Sequence, residues 1–114
     1  EHVMPHPILD GPHVLSLKFI QQFVPRKVAG VYVLSAREGN TIHARRIGRA
    51  DDNLASTLRD FVGLYSHFSC AAAVSPVTAY AMECELHHAW ELPESPSHPV
   101  APPNSDGACP LCGR

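Results

Sequence analysis

A chain of 114 residues, 45% of them hydrophobic and 18% charged, has the size and composition of a single globular domain with one modest core. No apolar run approaches the roughly 18 residues that a membrane-spanning helix needs, and no secretory signal is visible. We therefore expect a cytoplasmic protein, with no membrane partner and with reduced cysteines. The net charge of −2 excludes a basic envelope of the kind that strong nucleic-acid binders carry. The first residue is Glu1 rather than Met, which suggests an upstream fused segment.

The first half of the chain predicts a lead-in, a helix and a hairpin. Residues 1–14 are rich in Pro and His and indicate a flexible lead-in. Apolar residues recur at helical spacing over 15–24, and Pro25 ends this short helix. Residues 28–36 are typical of a buried strand, and residues 41–48 alternate as a second strand after a turn that contains Gly and Asn.

The second half predicts a helix, a strand and a longer helix. Asp51 or Asp52 caps a helix that runs to about Val62. Residues 67–74 form a third strand, although alanine is a poor strand former. A Ser-Pro pair then begins a helix over 76–90.

These elements predict one α/β domain. It spans residues 15–92, and a Pro-rich loop with a Cys-x-x-Cys tail, residues 93–114, packs on the same domain. Cys70, in the third strand, is expected to be a small core residue.

Positive charge is concentrated in one stretch. Residues 60–114 hold six acidic residues and a single arginine, whereas residues 37–59 hold five arginines against three acidic residues. This stretch suggests a local patch for DNA or another nucleic acid, and a solvated charged face is the alternative. The candidate nucleic-acid-binding residues are Arg45, Arg46, Arg49 and Arg59.

The helix over 76–90 divides into three stripes at 100° per residue. Glu83 and His87 lie beside the core stripe, and Cys84 and His88 lie nearly opposite it. The core stripe consists of Ala79, Met82, Leu86 and Trp90.

The cysteines and histidines predict a structural zinc site. Cys84 and His88 are one helical turn apart, and Cys109 and Cys112 form a turn that presents two thiolates in one direction. Zinc favours four such ligands in a tetrahedron, and a polar tail that buries little apolar surface needs a metal to hold it. His98 is the alternative to His88 as the fourth ligand. A redox dithiol, a disulfide and a chance pair remain alternatives.

Two short motifs resemble the GIY-YIG nuclease family, in a short bacterial variant with a Cys-Pro-x-Cys end. They are Gly30-Val31-Tyr32 and Arg46-Ile47-Gly48, followed by a helix containing Asn53-Leu54, a strand, and a helix containing Glu83. The resemblance covers about residues 28–90. It implies an α+β fold, with a small three-stranded antiparallel sheet flanked by helices and a C-terminal zinc-type knuckle.

The resemblance also implies Mg²⁺-dependent phosphodiester cleavage. In this family a glutamate binds the metal, a tyrosine assists the attacking water, and an arginine stabilises the charge that develops on the phosphate. Tyr32 matches the first tyrosine and Glu83 matches the glutamate, which makes them the candidate catalytic residues. The alternatives are that Tyr32 is a core aromatic and that Glu83 is a surface acid paired with His87.

Several positions depart from the family pattern. Gly48 matches the glycine of the second motif, but its tyrosine is replaced by Arg46, which cannot act as a base near neutral pH. The arginine position on the helix falls on Thr57, and Arg59 lies 200° further round. The His or Tyr position that follows falls on Phe61. Asn104 is a loose match for the asparagine that often ends the family domain.

Three functions remain open from the sequence. The first is a nuclease-like domain, weak or inactive in cleavage, that binds nucleic acid or a protein partner through its sheet and arginine surface. The second is an active Mg²⁺-dependent endonuclease with a rearranged site that uses His43, His67 or His87 as the base. The third is a zinc-stabilised protein interaction module, which the acidic second half favours.

Overall fold

The computed structural model describes residues 9–90, Leu92, Glu94 and 98–102. Strands and helices follow one another along this part of the chain in a mixed order. They are β1 (Asp10–Val14), α1 (Leu17–Phe23), β2 (Ala29–Glu38), β3 (Thr41–Ala50), α2 (Leu54–Arg59), β4 (His67–Ala73) and α3 (Pro76–Ala89). Among the helices described, none is long and apolar enough to cross a membrane.

The strands form one antiparallel sheet in the order β1-β4-β2-β3. The α+β class and the antiparallel sheet are therefore confirmed, but the described residues contain four strands and not three. The additional strand, β1, lies within the 1–14 segment that was expected to be a flexible lead-in. It pairs with β4 at the edge of the sheet, where the ring of His13 stacks on Phe23 with centroids 3.9 Å apart.

The helix ends follow local capping chemistry. The side chain of Ser75 accepts a hydrogen bond from the backbone N–H of Thr78, so α3 begins at the predicted Ser-Pro pair. For α2, the cap is Asn53 and neither of the two preceding aspartates, because the Asn53 side chain accepts a bond from the N–H of Ser56.

The sheet separates two apolar layers because alternate residues of β2 point to opposite faces. We call the side covered by α1 and α2 the first face; Tyr32 and Leu34 point towards it. We call the side covered by α3 the second face; Val31 and Val33 point towards it and pack with Ile47 and Leu86. The core of the first face also contains Leu15, Ile20, Val24, Ala50, Leu54, Ala55, Leu58, Phe68 and Cys70.

Helix α3 is covered on a second side as well. Cys84 was expected on the outer side of this helix, yet it is fully buried together with Tyr80. The reason is that the returning chain packs there, with Ala101 against this pair. Cys70 is buried in β4, as expected, and burial raises the pKa of its thiol to about 11.

Candidate functional site

Tyr32 and Gly48, one from each of the two short motifs, are directly opposed across β2 and β3. A Cβ atom placed on Gly48 would lie 2.2 Å from Cζ and Oη of Tyr32, so the phenol ring lies flat across the glycine. Only a residue without a side chain leaves room for the ring at this position. Tyr32 itself is only 5% exposed. The glycine of the second motif therefore holds the tyrosine of the first motif in place.

Arg46 lies on the same face as Tyr32, within a group of aromatic rings. Its guanidinium carbon is 5.3 Å from the centroid of the Phe61 ring, a cation–π distance. The Phe61 centroid is 5.7 Å from that of Tyr32 and 6.0 Å from that of Tyr65. We call these four residues, Tyr32, Arg46, Phe61 and Tyr65, the aromatic cluster. All but Tyr32 are half-buried, so the cluster reaches the surface.

Glu94 closes one side of the aromatic cluster. The Tyr65 hydroxyl donates a hydrogen bond to the Glu94 carboxylate, and Arg45 binds the same carboxylate at 3.2 Å. The backbone N–H of Glu94 also donates to the carbonyl of Arg45, at 3.0 Å. Arg45 makes a further ion pair with Glu38, at 3.3 Å. The charge of Arg45 is therefore balanced by two carboxylates within the protein.

Glu83 and Arg49 form a shielded ion pair on the second face. The Arg49 Nη1 donates to the Glu83 carboxylate at 2.9 Å, and Arg49 Nε donates to Asp51 at 2.7 Å. The Arg49 guanidinium also lies over the ring of Tyr80, 5.4 Å from its centroid. The side chains of Glu83 and Arg49 are 11% and 13% exposed. Glu83 is thus bonded to an arginine of the sheet, and His87 does not hold it.

Burial dominates the protonation of Glu83. Desolvation raises the pKa of this carboxyl above its usual 4.5, and the charge and hydrogen bond of Arg49 offset only part of the rise. Burial likewise raises the pKa of Tyr32, while the charge of Arg46 lowers it and that of Glu83 raises it. The charges of Arg46 and Glu83 therefore act on Tyr32 in opposite directions, although Glu83 lies on the second face.

The predicted arginine patch is divided by the fold. Arg45 and Arg49 are paired with carboxylates, whereas Arg46 makes no ion pair within the described part of the chain. Arg59 lies on the exposed side of α2 and lines a groove between this helix and α1. Thr57, at the family's arginine position, donates its hydroxyl to the Asn53 carbonyl of its own helix.

Of the three histidines that were considered as a base, His43 and His67 lie away from Glu83, whereas His87 lies one turn further along the same helix. His43 and His67 lie beside Ala36 and Ser35 of β2, near the end of the hairpin. Arg49, the partner of Glu83, pairs with β2 four or five positions earlier, which is about 13–16 Å along a strand. The pKa of His87 is lowered. Burial is the largest cause, and the charges of His98 and His88 lower it further.

The proposed zinc ligands are only partly within the described residues. Cys109 and Cys112 lie outside them. Cys84 is buried on α3, and the ring of His88 is 5.4 Å from that of His98 in an edge-to-face contact. Among the residues that the structure describes, no group of three or more His, Cys, Asp or Glu residues could hold a metal ion. His88 lies one turn from Cys84 on α3, and His98 contacts His88. The full set of zinc ligands stays a prediction.

Comparison with protein-family models, with curated proteins and with solved structures gives no match for this chain.

Two features of the site are not apparent from the sequence. The Arg49–Glu83 pair joins residues 34 positions apart, which no local pattern reveals. The surroundings of Arg46 depend on Phe61 and Tyr65, which come from the segment after α2. One available signal is strand alternation, because Arg46 and Arg49 are three positions apart in one strand and must point to opposite faces.

Proposed function

We propose that this chain is a GIY-YIG-like domain that binds nucleic acid through its aromatic cluster and does not cleave it efficiently. The observation that carries the proposal is the Arg49–Glu83 pair, 2.9 Å long and largely shielded from solvent. A carboxylate held by an arginine, with a raised pKa, is poorly suited to binding Mg²⁺, which favours exposed, ionised oxygen ligands. Magnesium would have to displace the guanidinium before it reached Glu83.

Two replaced positions support the loss of cleavage. Arg46 stands where the family has its second tyrosine, and a guanidinium cannot accept a proton near neutral pH. Thr57 stands where the family has its arginine, and its hydroxyl is bonded within α2. Each missing contact to the transition state typically costs about 3 kcal/mol, so their joint loss leaves little catalysis.

The composition of the aromatic cluster supports nucleic acid as the partner. Phe61 and Tyr65 are half-buried rings on which a base can stack, and Arg46 between them makes no ion pair with a described carboxylate. Stacking on aromatic rings next to a guanidinium is a common way to bind single strands with little sequence preference. With a net charge of −2, we expect weak, salt-sensitive binding.

We also propose a structural zinc ion that holds the tail on α3, bound by Cys84, Cys109, Cys112 and either His88 or His98. The packing of Ala101 against Cys84 and the contact between the two imidazoles support it, because they bring the returning chain to the helix that carries the cysteine. Thiolate and imidazole are the ligands of structural zinc. The metal would supply folding free energy and take no part in chemistry.

Cleavage is tested by incubating the protein with single-stranded and duplex DNA and RNA in Mg²⁺ or Mn²⁺. We expect no metal-dependent cleavage by the natural sequence. Cleavage that Glu83→Ala abolishes would instead establish an active nuclease with a rearranged site.

Binding is tested by fluorescence anisotropy with a labelled single strand and a duplex over a range of salt concentrations. We expect Arg46→Gln to weaken binding and to reduce the salt slope by about one unit. Arg37→Gln is the matched control, since Arg37 is exposed at the end of the hairpin and bonds only the Gly39 carbonyl among described groups. Equal effects of the two variants, or no binding at all, would overturn the proposal and favour the protein interaction module.

Zinc is tested by elemental analysis of protein purified without added metal. We expect about one equivalent, lost in Cys109→Ser, and a lower unfolding temperature after chelation. Protein that contains no zinc and is indifferent to chelator would remove this part of the proposal.

A further inference from the structure

A second basic surface lies between α1 and α2, away from the aromatic cluster. It is a groove with a cavity volume of about 450 Å³, within the range of small-molecule clefts. Its apolar wall is formed by Ile20, Val24 and Ala55, all of which are buried. We call it the basic groove, because Arg26, Lys27 and Arg59 line it as well.

The three cations of the basic groove have no ion-pair partner among the described carboxylates. All three, Arg26, Lys27 and Arg59, are exposed. The described residues that line the groove include no Asp or Glu. This contrasts with Arg45 and Arg49, which are held by acidic side chains. Three such cations around one concave apolar surface attract an anion of more than one charge.

The backbone of Lys27 adds a second observation. Its φ of 53° lies in the left-handed region, which a lysine seldom adopts and which a glycine adopts readily. The chain therefore carries a cation at the rim of the groove where local backbone preference favours a glycine. Strained positions of this kind concentrate at ligand-binding sites.

We propose that the basic groove binds a nucleotide, with its phosphate on Arg26, Lys27 and Arg59 and its base on the apolar wall. Guanidinium groups bind phosphate oxygens in a bidentate manner, which favours phosphate over a simple carboxylate. Leu17, which is exposed and lines the groove beside the buried residues of this wall, offers apolar surface to a flat ring, and inorganic phosphate has no such ring. This inference goes beyond the proposed function and does not depend on the aromatic cluster.

The test follows backbone amide resonances of the full chain during titration with adenosine monophosphate, inorganic phosphate and a short deoxythymidine strand without terminal phosphate. We expect the monophosphate to shift resonances of α1, α2 and residues 24–27, and inorganic phosphate to bind more weakly. If resonances of the groove shift at lower concentrations of the monophosphate than of the strand, a free nucleotide is the ligand. If they shift at lower concentrations of the strand, the ligand is a nucleotide within a chain. Both results support the groove.

Variants of the groove separate this inference from the proposed function. Arg59→Gln should weaken monophosphate binding by about tenfold, which corresponds to one lost charge-assisted contact. Lys27→Gly should weaken it too while leaving the fold intact, because glycine suits the left-handed backbone. Arg37→Gln, which lies outside both the groove and the aromatic cluster, should leave it unchanged. Absence of shifts in the groove, or equal weakening by Arg37→Gln and Arg59→Gln, would overturn the inference even if Arg46 proved essential for strand binding.

Discussion

The two faces of the sheet use arginines of the same strand in opposite ways. On the second face, Arg49 is bonded to Glu83 and Asp51 and covered by α3, so its charge is neutralised within the protein. On the first face, Arg46 lies over Phe61 with no described carboxylate in ion-pair contact. The two residues are three positions apart in β3, and strand alternation alone sends them to different surroundings.

This difference shows why a count of arginines in a sequence is a poor measure of a binding surface. An arginine with a shielded carboxylate partner contributes to folding and has little charge to offer a ligand. Arg46 packs on an aromatic ring and hydrogen-bonds to Tyr65, and without an ion pair to a described carboxylate its positive charge is available to a ligand.

Removal of Arg49 should have the largest effect on stability. Arg49→Met leaves the Glu83 carboxylate buried without its partner, and we expect a loss of about 3 kcal/mol in the free energy of unfolding at neutral pH. Glu83→Gln should cost less, about 1 kcal/mol, because Arg49 keeps Asp51 as a partner. Chemical denaturation measures both. Equal costs for the two variants would show that the pair is not shielded as described.

The stability of Arg49→Met should have a distinctive pH dependence. Because the folded pKa of Glu83 lies above its usual 4.5, the stability that this carboxyl contributes is fully present below 4.5 and is lost as pH rises through the folded pKa. Arg49→Met raises the pKa of Glu83 further. The loss in free energy of unfolding that this substitution causes should therefore shrink as the pH falls towards 4.5. A cost that is constant with pH would contradict this assignment. The Arg46→Gln variant is the control from the first face.

A methyl group at Gly48 should be the next most damaging change. Gly48→Ala places a Cβ 2.2 Å from the ring of Tyr32, so the ring must move, at an expected cost of about 2 kcal/mol. The test is a double-mutant cycle with Tyr32→Leu, which removes the ring. If Gly48→Ala costs as much in the Tyr32→Leu background, the contact is not the cause.

The helix caps allow a smaller comparison of the faces. Ser75 caps α3 above the second face, and Asn53 caps α2 above the first, each by a bond to a backbone N–H. We expect Ser75→Ala and Asn53→Ala each to lower the free energy of unfolding by about 1 kcal/mol. Ser75→Asp and Asn53→Asp should retain most of this free energy. Thermal unfolding measures these differences, and an alanine variant as stable as the natural sequence would show that the cap is dispensable.

The smallest expected effect is on the ionisation of Tyr32, which is sensitive to both faces. Burial raises its pKa, Arg46 lowers it and Glu83 raises it. Arg46→Gln should therefore shift the titration of Tyr32 to higher pH, and Glu83→Gln should shift it to lower pH. NMR resonances assigned to the ring of Tyr32 distinguish its titration from signals of Tyr65 and Tyr80. Shifts in the same direction for both variants would contradict the electrostatic link between the faces.

Much of the fold was predictable from the sequence because buried strands and capped helices leave a local trace. β2 corresponds to a continuous apolar run, and α3 begins at the Ser-Pro cap, so both match predicted segments closely. β1 leaves no such trace: four of its five residues are exposed, so alternation of apolar residues is absent. Its pairing with β4 is set by tertiary contacts, which a local pattern does not record.

The candidate residues of the site could be identified from the sequence, but the contacts between them could not. Tyr32, Gly48 and Glu83 stand out in the sequence, yet the partners of Glu83 depend on how α3 crosses the sheet. The basic groove was not predictable from the sequence because Arg26 and Lys27 lie 32 or more positions before Arg59 and form no local pattern with it. Only the packing of α1 beside α2 brings them together.

The position of β1 has a consequence for the order in which the sheet assembles. β2 and β3 are neighbours in sequence and close by a short turn, whereas β1 has to wait for β4, more than 50 positions later. Closing so long a loop is slow, and β4 is the strand that pairs with β1 in the described sheet. The amides of β1 should therefore exchange with deuterium long before those at the centre of β2, and a chain that lacks its first 14 residues should still form the hairpin.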